Sequence, residues 1–162
     1  MDNFDAFRTY WKVYGGWKDL LRSYYFWFSA LLTAAFFPAW IRRSSEGDLT
    51  WPLTALSIGP SFISFSLGAM AIILAFSNEK FMALIQQKGA DTSYFIRVVS
   101  SLFHFIIVQA LSILVSLFAL SWQYNTISAL SFFLTVYGIA VAMAAASNLM
   151  DMSEILNKMA KK

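Results

Sequence analysis

From Val98 to Met150 the chain carries no Lys, Arg, Asp or Glu, and a bilayer core takes roughly 20 apolar residues per spanning helix. That run holds two spans and a tight turn. Ser121, Trp122, Gln123, Tyr124, Asn125 and Thr126 cluster polar groups in its middle and mark the turn. A second uncharged stretch lies between Asp48 and Glu79, and a shorter one, rich in Phe and Tyr, precedes Arg42. The pattern predicts an all-α membrane protein with four transmembrane helices arranged as two hairpins. The expected spans are 24–41, 53–78, 96–120 and 127–150, following a cytoplasmic segment over residues 1–22 and ending in a short cytoplasmic tail; residues 23–162 form the transmembrane domain.

Local signals sharpen the boundaries. Phe4, Phe7, Trp11 and Tyr14 fall on one face of an amphipathic N-terminal segment, of the kind that lies in the headgroup plane, and Gly15 and Gly16 hinge it. Pro38 is a terminal kink in the first span, and Pro52 suits the first turn of the second. Pro60 falls inside the second span, where it frees a carbonyl that needs another partner. Gly89 is the expected C-cap of a helix extending past the second span, and Asp91, Thr92 and Ser93 are candidate N-caps for the third.

Charge then sets the orientation. With four spans, one side carries Arg8, Lys12, Lys18, Arg22, Lys80, Lys88, Arg97, Lys158, Lys161 and Lys162, and the other only Arg42 and Arg43. The positive-inside rule places both termini in the cytoplasm. Trp40, Trp51, Trp122 and Tyr124 then gather at the outer interface. No secretory leader is expected, since Asp2, Asn3 and Asp5 replace a basic start.

Composition agrees and removes several chemistries. The chain is 59% hydrophobic and 13% charged, with 16 Phe, 6 Trp and 7 Tyr, whereas soluble domains carry about a quarter charged residues. Without cysteine and with one histidine, thiolate or multi-histidine metal sites within one chain are excluded. No acidic residue lies within a span, which speaks against a cation-coupled transporter. No Lys lies there, no acidic cluster offers to hold Mg²⁺, and no nucleophile-elbow pattern occurs. An enzyme is not expected, nor a cofactor.

Three polar stripes remain. Ser57, Ser61, Ser64 and Gly68 fall within roughly a 60° arc of the second span, and Arg97, Ser101, His104, Gln109, Ser112 and Ser116 within roughly 140° of the third. Ser128, Ser131, Thr135, Gly138, Ala142 and Ala145 line the fourth. Such stripes serve either close helix packing with interhelical hydrogen bonds or the wall of a hydrated path. His104, ~10 Å deeper than Arg97, is either a gate or a neutral ring bonded to a serine of a neighbouring helix. Ser57, Ser61, Ser64, Ser101, His104, Gln109, Ser112 and Ser116 are thus the pore-lining candidates, and Lys80, Lys88 and Arg97 the partner-facing ones.

Ser66 to Phe76 (SLGAMAIILAF), the basic segment ending near Lys88 and Gly89, the polar-striped third span and the Gly138–Ala142 run resemble small four-span proteins of bacterial phage defence, the RexB-like exclusion channels. More faintly, the chain is similar to membrane pore proteins that accompany RNA-targeting CRISPR systems. Arg97 and His104 also share the spacing of HEPN-type ribonucleases, but a membrane-embedded His cannot meet RNA, and no direct nucleic-acid binding is expected. The resemblance implies a depolarising channel that halts growth of an infected cell. The expected function is a homo-oligomeric pore, the alternative a non-conducting membrane sensor or anchor that docks a cytoplasmic defence partner.

Overall fold

The computed structural model describes residues 3–75 and 93–160, and these are helical apart from short connections. Seven helices follow one another: α1 (Asn3–Tyr14), α2 (Gly16–Arg22), α3 (Tyr24–Ala35), α4 (Phe37–Ile41), α5 (Trp51–Ala75), α6 (Tyr94–Trp122) and α7 (Asn125–Ala160). Three of them, α5, α6 and α7 as far as Asp151, are long and apolar enough to cross a membrane. Their surfaces run opposite to those of a soluble bundle. Leu53, Phe65, Leu67, Ile72 and Leu74 of α5, Leu111, Leu114, Leu117 and Phe118 of α6, and Leu130, Ile139 and Met143 of α7 are exposed. Ser66, Gln109, Ser112, Ser116, Ser131 and Thr135 are buried among the helices. Apolar outside and hydroxylated inside is the arrangement a hydrocarbon solvent selects; the protein is membrane-embedded.

The expected segment 24–41 is not one helix. It breaks at Phe36 (φ −96°, ψ 30°) into α3 and α4, with Pro38 in the first turn of α4. Proline lacks the amide hydrogen that would continue the ladder, and its ring crowds the carbonyl one turn earlier. Pro60, by contrast, sits inside α5 without ending it. Pro52 occupies the first turn of α5 as expected, and Ser93 caps α6 by accepting from the Ile96 amide at 3.4 Å. The expected helix extension after α5, its cap at Gly89, and Asp91 and Thr92 lie outside the described residues. At the N-terminus, Gly15 and Gly16 both take positive φ (88° and 70°) and separate α1 from α2. The tail continues α7 to Ala160.

α6 is the central element. α5 and α7 both pack against it and touch each other, as in the Trp51–Phe132 ring contact at 4.5 Å, while α3 and α4 lie along α7 and α1 lies against α6. Two apolar clusters hold the contacts, one of Ile73, Val98, Leu102 and Ala145, the other of Phe105, Val108, Tyr137 and Val141. Gly59 allows the closest approach of α5, since a Cβ there would stand 2.7 Å from the Ile113 side chain.

One end of the bundle is closed by its loops. The turn between α6 and α7 contracts to Gln123 and Tyr124, and Gln123 adopts the left-handed conformation (φ 53°). Its side-chain carbonyl accepts from the Leu49 amide at 2.8 Å, and Arg43 donates to the Gln123 carbonyl (3.0 Å) and to Asn125 Oδ1 (3.1 Å). Leu49 is fully buried, so its amide has no solvent to fall back on. Gln123→Ala strands that donor and is expected to lower stability by about 1–3 kcal/mol, read by thermal denaturation in detergent.

Candidate functional site

The polar residues of α6 meet the hydroxyl face of α7 along a buried seam. Because the two helices are antiparallel, from Gln109 onward ascending positions on α6 face descending ones on α7. His104 lies opposite Tyr137, Gln109 opposite Gly138, Ser112 opposite Thr135, and Ser116 opposite Ser131. From His104 to Ser116 the seam is about 18 Å long at the helical rise. All eight side chains are buried except that Gly138 has none to bury.

At the loop-facing end the seam is a hydroxyl ladder. Ser116 Oγ donates to the Ser112 carbonyl at 2.6 Å and Thr135 Oγ1 donates to the Ser131 carbonyl at 2.9 Å. Each hydroxyl has one hydrogen, so in the cross-helix pair with Ser116, at 2.7 Å, Ser131 donates, while the Ser112 hydroxyl lies 2.7 Å from Thr135 Oγ1 and 3.4 Å from the Ser131 carbonyl. Ser128, one turn before Ser131, donates to the Trp40 carbonyl at 2.6 Å and ties α4 to the same face.

The other end is aromatic. Both ring nitrogens of His104 are engaged, Nδ1 with the Tyr10 hydroxyl and Nε2 with the Tyr137 hydroxyl at 3.0 Å. Tyr14 completes the group, its hydroxyl 3.0 Å from that of Tyr137 and its ring stacked on His104 at 4.1 Å between centroids. A neutral imidazole donates from one nitrogen and accepts at the other, so one of Tyr10 and Tyr137 accepts and the other donates. Burial pushes the phenol ionisations of Tyr10 and Tyr14 up, which keeps both as hydroxyl donors. Phe103 packs edge-on against Phe7 (5.5 Å) and Tyr10 (5.4 Å). The amphipathic first helix is therefore docked across the end of the seam, through Phe7, Tyr10 and Tyr14.

Gln109 stands between these two groups, fully buried, and neither amide atom has a hydrogen-bond partner among the described residues. It fits only because position 138 is glycine: a Cβ there would lie 2.1 Å from Gln109 Nε2.

The candidates from the sequence thus separate. His104, Gln109, Ser112 and Ser116 share the seam. Ser101 is half-buried and donates to its own helix at Val98, lining a recess with Ser100 and Arg97. Ser57, Ser61 and Ser64 are exposed on the outward face of α5, Ser57 bonded to the Thr54 carbonyl of the same helix at 2.7 Å; the hydroxyl that α5 buries is Ser66. Arg97 is exposed. Lys80 and Lys88 lie outside the described residues.

Tyr10 and Tyr137 are the site residues that sequence reasoning missed. The signal for Tyr137 was a phenol in mid-span, far from either interface. Tyr10 lies on the same side of α1 as Phe7 and Tyr14, at helical spacings of three and four, and the face drawn through Trp11 passed it by. Among the described residues no three His, Asp or Glu side chains come together to hold a metal ion. No family model, curated protein or solved structure matches this chain.

Proposed function

We propose that the protein is a homo-oligomeric membrane pore whose lumen is bordered by the outward face of α5. The observation that carries this reading is the composition of that face. Ser57, Ser61, Ser64, Gly68, Ala71 and Ala75 are all exposed and follow one line at spacings of three and four, with Leu53, Phe65, Leu67 and Ile72 flanking them. A Cβ added at Gly68 would touch nothing. A lipid-facing helix gains nothing from a hydroxylated centre, whereas such a line suits close packing with another copy or contact with water. Four helices are too few to enclose a wide channel alone, so the lumen lies between copies.

In this reading the seam between α6 and α7 is the protomer's internal framework, and α1 is the latch at its end. The fourth crossing is supplied by α3 and α4 together. Tyr25 lines a recess with Ala144 and Asn148, while the Trp40 carbonyl binds Ser128. The pair therefore follows α7 for up to about 30 Å, comparable to the hydrocarbon thickness. The excess of Lys and Arg on the side of the termini supports a cytoplasmic location for both. The likeness to phage-exclusion channels makes depolarisation of an infected bacterium the setting for such a pore.

The chain has no cysteine, so single-cysteine variants report one position each. Ser57→Cys, Ser61→Cys and Ser64→Cys in reconstituted protein are expected to react with a charged, membrane-impermeant thiol reagent at least about tenfold faster than Leu67→Cys on the flank, because hydrocarbon suppresses the thiolate that reacts. Equal rates at Ser61→Cys and Leu67→Cys would remove the lumen from α5.

A further inference from the structure

Beyond the pore reading, and independent of it, a recess between the N-terminal helices and the α6–α7 pair carries two opposite charges. It has a volume of about 310 Å³ and is walled by Asp19 of α2, Ser23, Tyr25 of α3, Arg97 and Ser101 of α6, and Asn148 of α7, over a floor that includes Val141 and Ala144. Arg97 and Asp19 are exposed residues that line it. Asp19 lies over the backbone of Gly15. Gly15 takes φ 88°, and a Cβ there would stand 1.7 Å from Asp19 Oδ2, so the carboxylate rests where only glycine leaves room.

The depth of the recess is set by the sequence. Arg97 is the last charge before the uncharged run from Val98 to Met150, and Asn148 lies one turn before Asp151, which ends it. The recess thus opens at the level of the lipid headgroups, with its apolar floor toward the acyl region. A guanidinium binds a phosphate through paired N–H donors. A carboxylate on the facing wall asks for a cation with N–H groups of its own, and Ser23, Ser101 and Asn148 add neutral hydrogen-bonding groups around both.

We propose that this recess binds a zwitterionic phosphate–ammonium group, the headgroup of a phosphatidylethanolamine-type lipid, with the phosphate on Arg97 and the primary ammonium on Asp19. A trimethylated ammonium has no N–H to give Asp19, and a headgroup without a cation leaves the carboxylate facing a phosphate. The site therefore ranks phosphatidylethanolamine above both phosphatidylcholine and phosphatidylglycerol.

The test is lipid retention by the delipidated full-length protein in detergent, measured by native mass spectrometry against phosphatidylethanolamine, phosphatidylcholine and phosphatidylglycerol. Wild type is expected to retain the ethanolamine lipid at least about tenfold more tightly than the other two, the equivalent of one charge-assisted hydrogen bond. Asp19→Asn should lose that preference while still holding phosphatidylglycerol, and Arg97→Gln should weaken both. Arg42→Gln, at the opposite end of the bundle, is the control that keeps the preference. Soluble glycerophosphoethanolamine is added in a separate arm: displacement at the same concentration as the lipid assigns the site to the free headgroup compound, and failure to displace assigns it to the lipid. Equal retention of all three lipids by wild type, or an unchanged preference in both Asp19→Asn and Arg97→Gln, would overturn the proposal.

Discussion

His104→Ala is expected to free α1 from the bundle. The substitution removes the ring that bonds Tyr10 and Tyr137 and on which Tyr14 stacks at 4.1 Å. The Tyr10 hydroxyl then loses its partner, at a cost of about 1–3 kcal/mol, the Tyr137 hydroxyl keeps only Tyr14, and the vacated ring volume adds a cavity term. The sum, roughly 3–5 kcal/mol, is comparable with what docks a 12-residue helix to the rest of the protein. Because α1 joins the bundle through this cluster and the Phe103 contacts, the loss should appear as local release rather than global unfolding. Trypsin cleavage at the exposed Arg8 and Lys12 is expected to accelerate by at least about tenfold, the effect of 1.4 kcal/mol on an opening equilibrium. Tyr10→Phe, which removes one hydroxyl and keeps the ring packing on Phe103, should give a smaller acceleration. Equal cleavage in wild type and His104→Ala would show that α1 is held by something other than this ring.

Gly138→Ala is expected to destabilise the bundle although it adds a single methyl. Its Cβ would fall 2.1 Å from Gln109 Nε2 and 2.9 Å from Gln109 Cδ. Those distances are far inside contact, and the Gln109 side chain is fully enclosed, so it has no free volume into which to swing. Overpacking of this kind costs about 1–3 kcal/mol. Gly68→Ala, on the exposed face of α5 with nothing near its Cβ, provides the comparison and should be close to neutral in an isolated protomer. The cause can be isolated by a double-mutant cycle. In a Gln109→Ala background the clash has no partner, and Gly138→Ala should become nearly silent, a coupling of about 1–3 kcal/mol. Additive losses, measured by thermal denaturation in detergent, would mean that the α6–α7 approach does not depend on this pair.

Much of the fold was legible because it follows from two local rules, the length of uncharged runs and the side-chain chemistry of turns and caps. α6 extends two residues beyond the expected span at each end, α7 begins two residues early and runs ten past the expected end, and Pro52 and Ser93 sit where first-turn and capping rules place them. The break at Phe36 was harder to see. Pro38 signalled a kink, but how completely it divides the segment depends on packing against α7, which no local pattern contains. The stripes were visible as stripes, yet their direction was not. Ser112 and Ser116 face inward because Ser131 and Thr135 on α7 offer hydroxyls at matching heights, while Ser57, Ser61 and Ser64 face outward because α5 gives α6 its Gly59 and Ser66 side instead. The partners of His104 were the furthest from view. A serine on a neighbouring helix was the natural expectation, whereas the ring meets two tyrosines, one of them 94 residues away on a helix outside the long apolar segments. Contacts of that separation are tertiary facts, and periodicity within one helix does not encode them.

The inward placement of the α6 residues also changes which substitution is informative. Gln109→Leu or Ser112→Leu would disturb the protomer's own framework, so a loss of activity there would not locate a lumen. The exposed serines of α5 are the positions that separate assembly and conduction from folding. The most direct measurement is the current through purified protein in a planar bilayer, recorded for wild type and for Ser61→Cys before and after a charged thiol reagent. The pore reading predicts discrete openings in both, with weak charge selectivity because no charged residue lies between Asp48 and Glu79, and block of Ser61→Cys alone on labelling. An intact oligomer that stays electrically silent, or openings in Ser61→Cys that persist unchanged after labelling, would contradict a lumen bordered by α5.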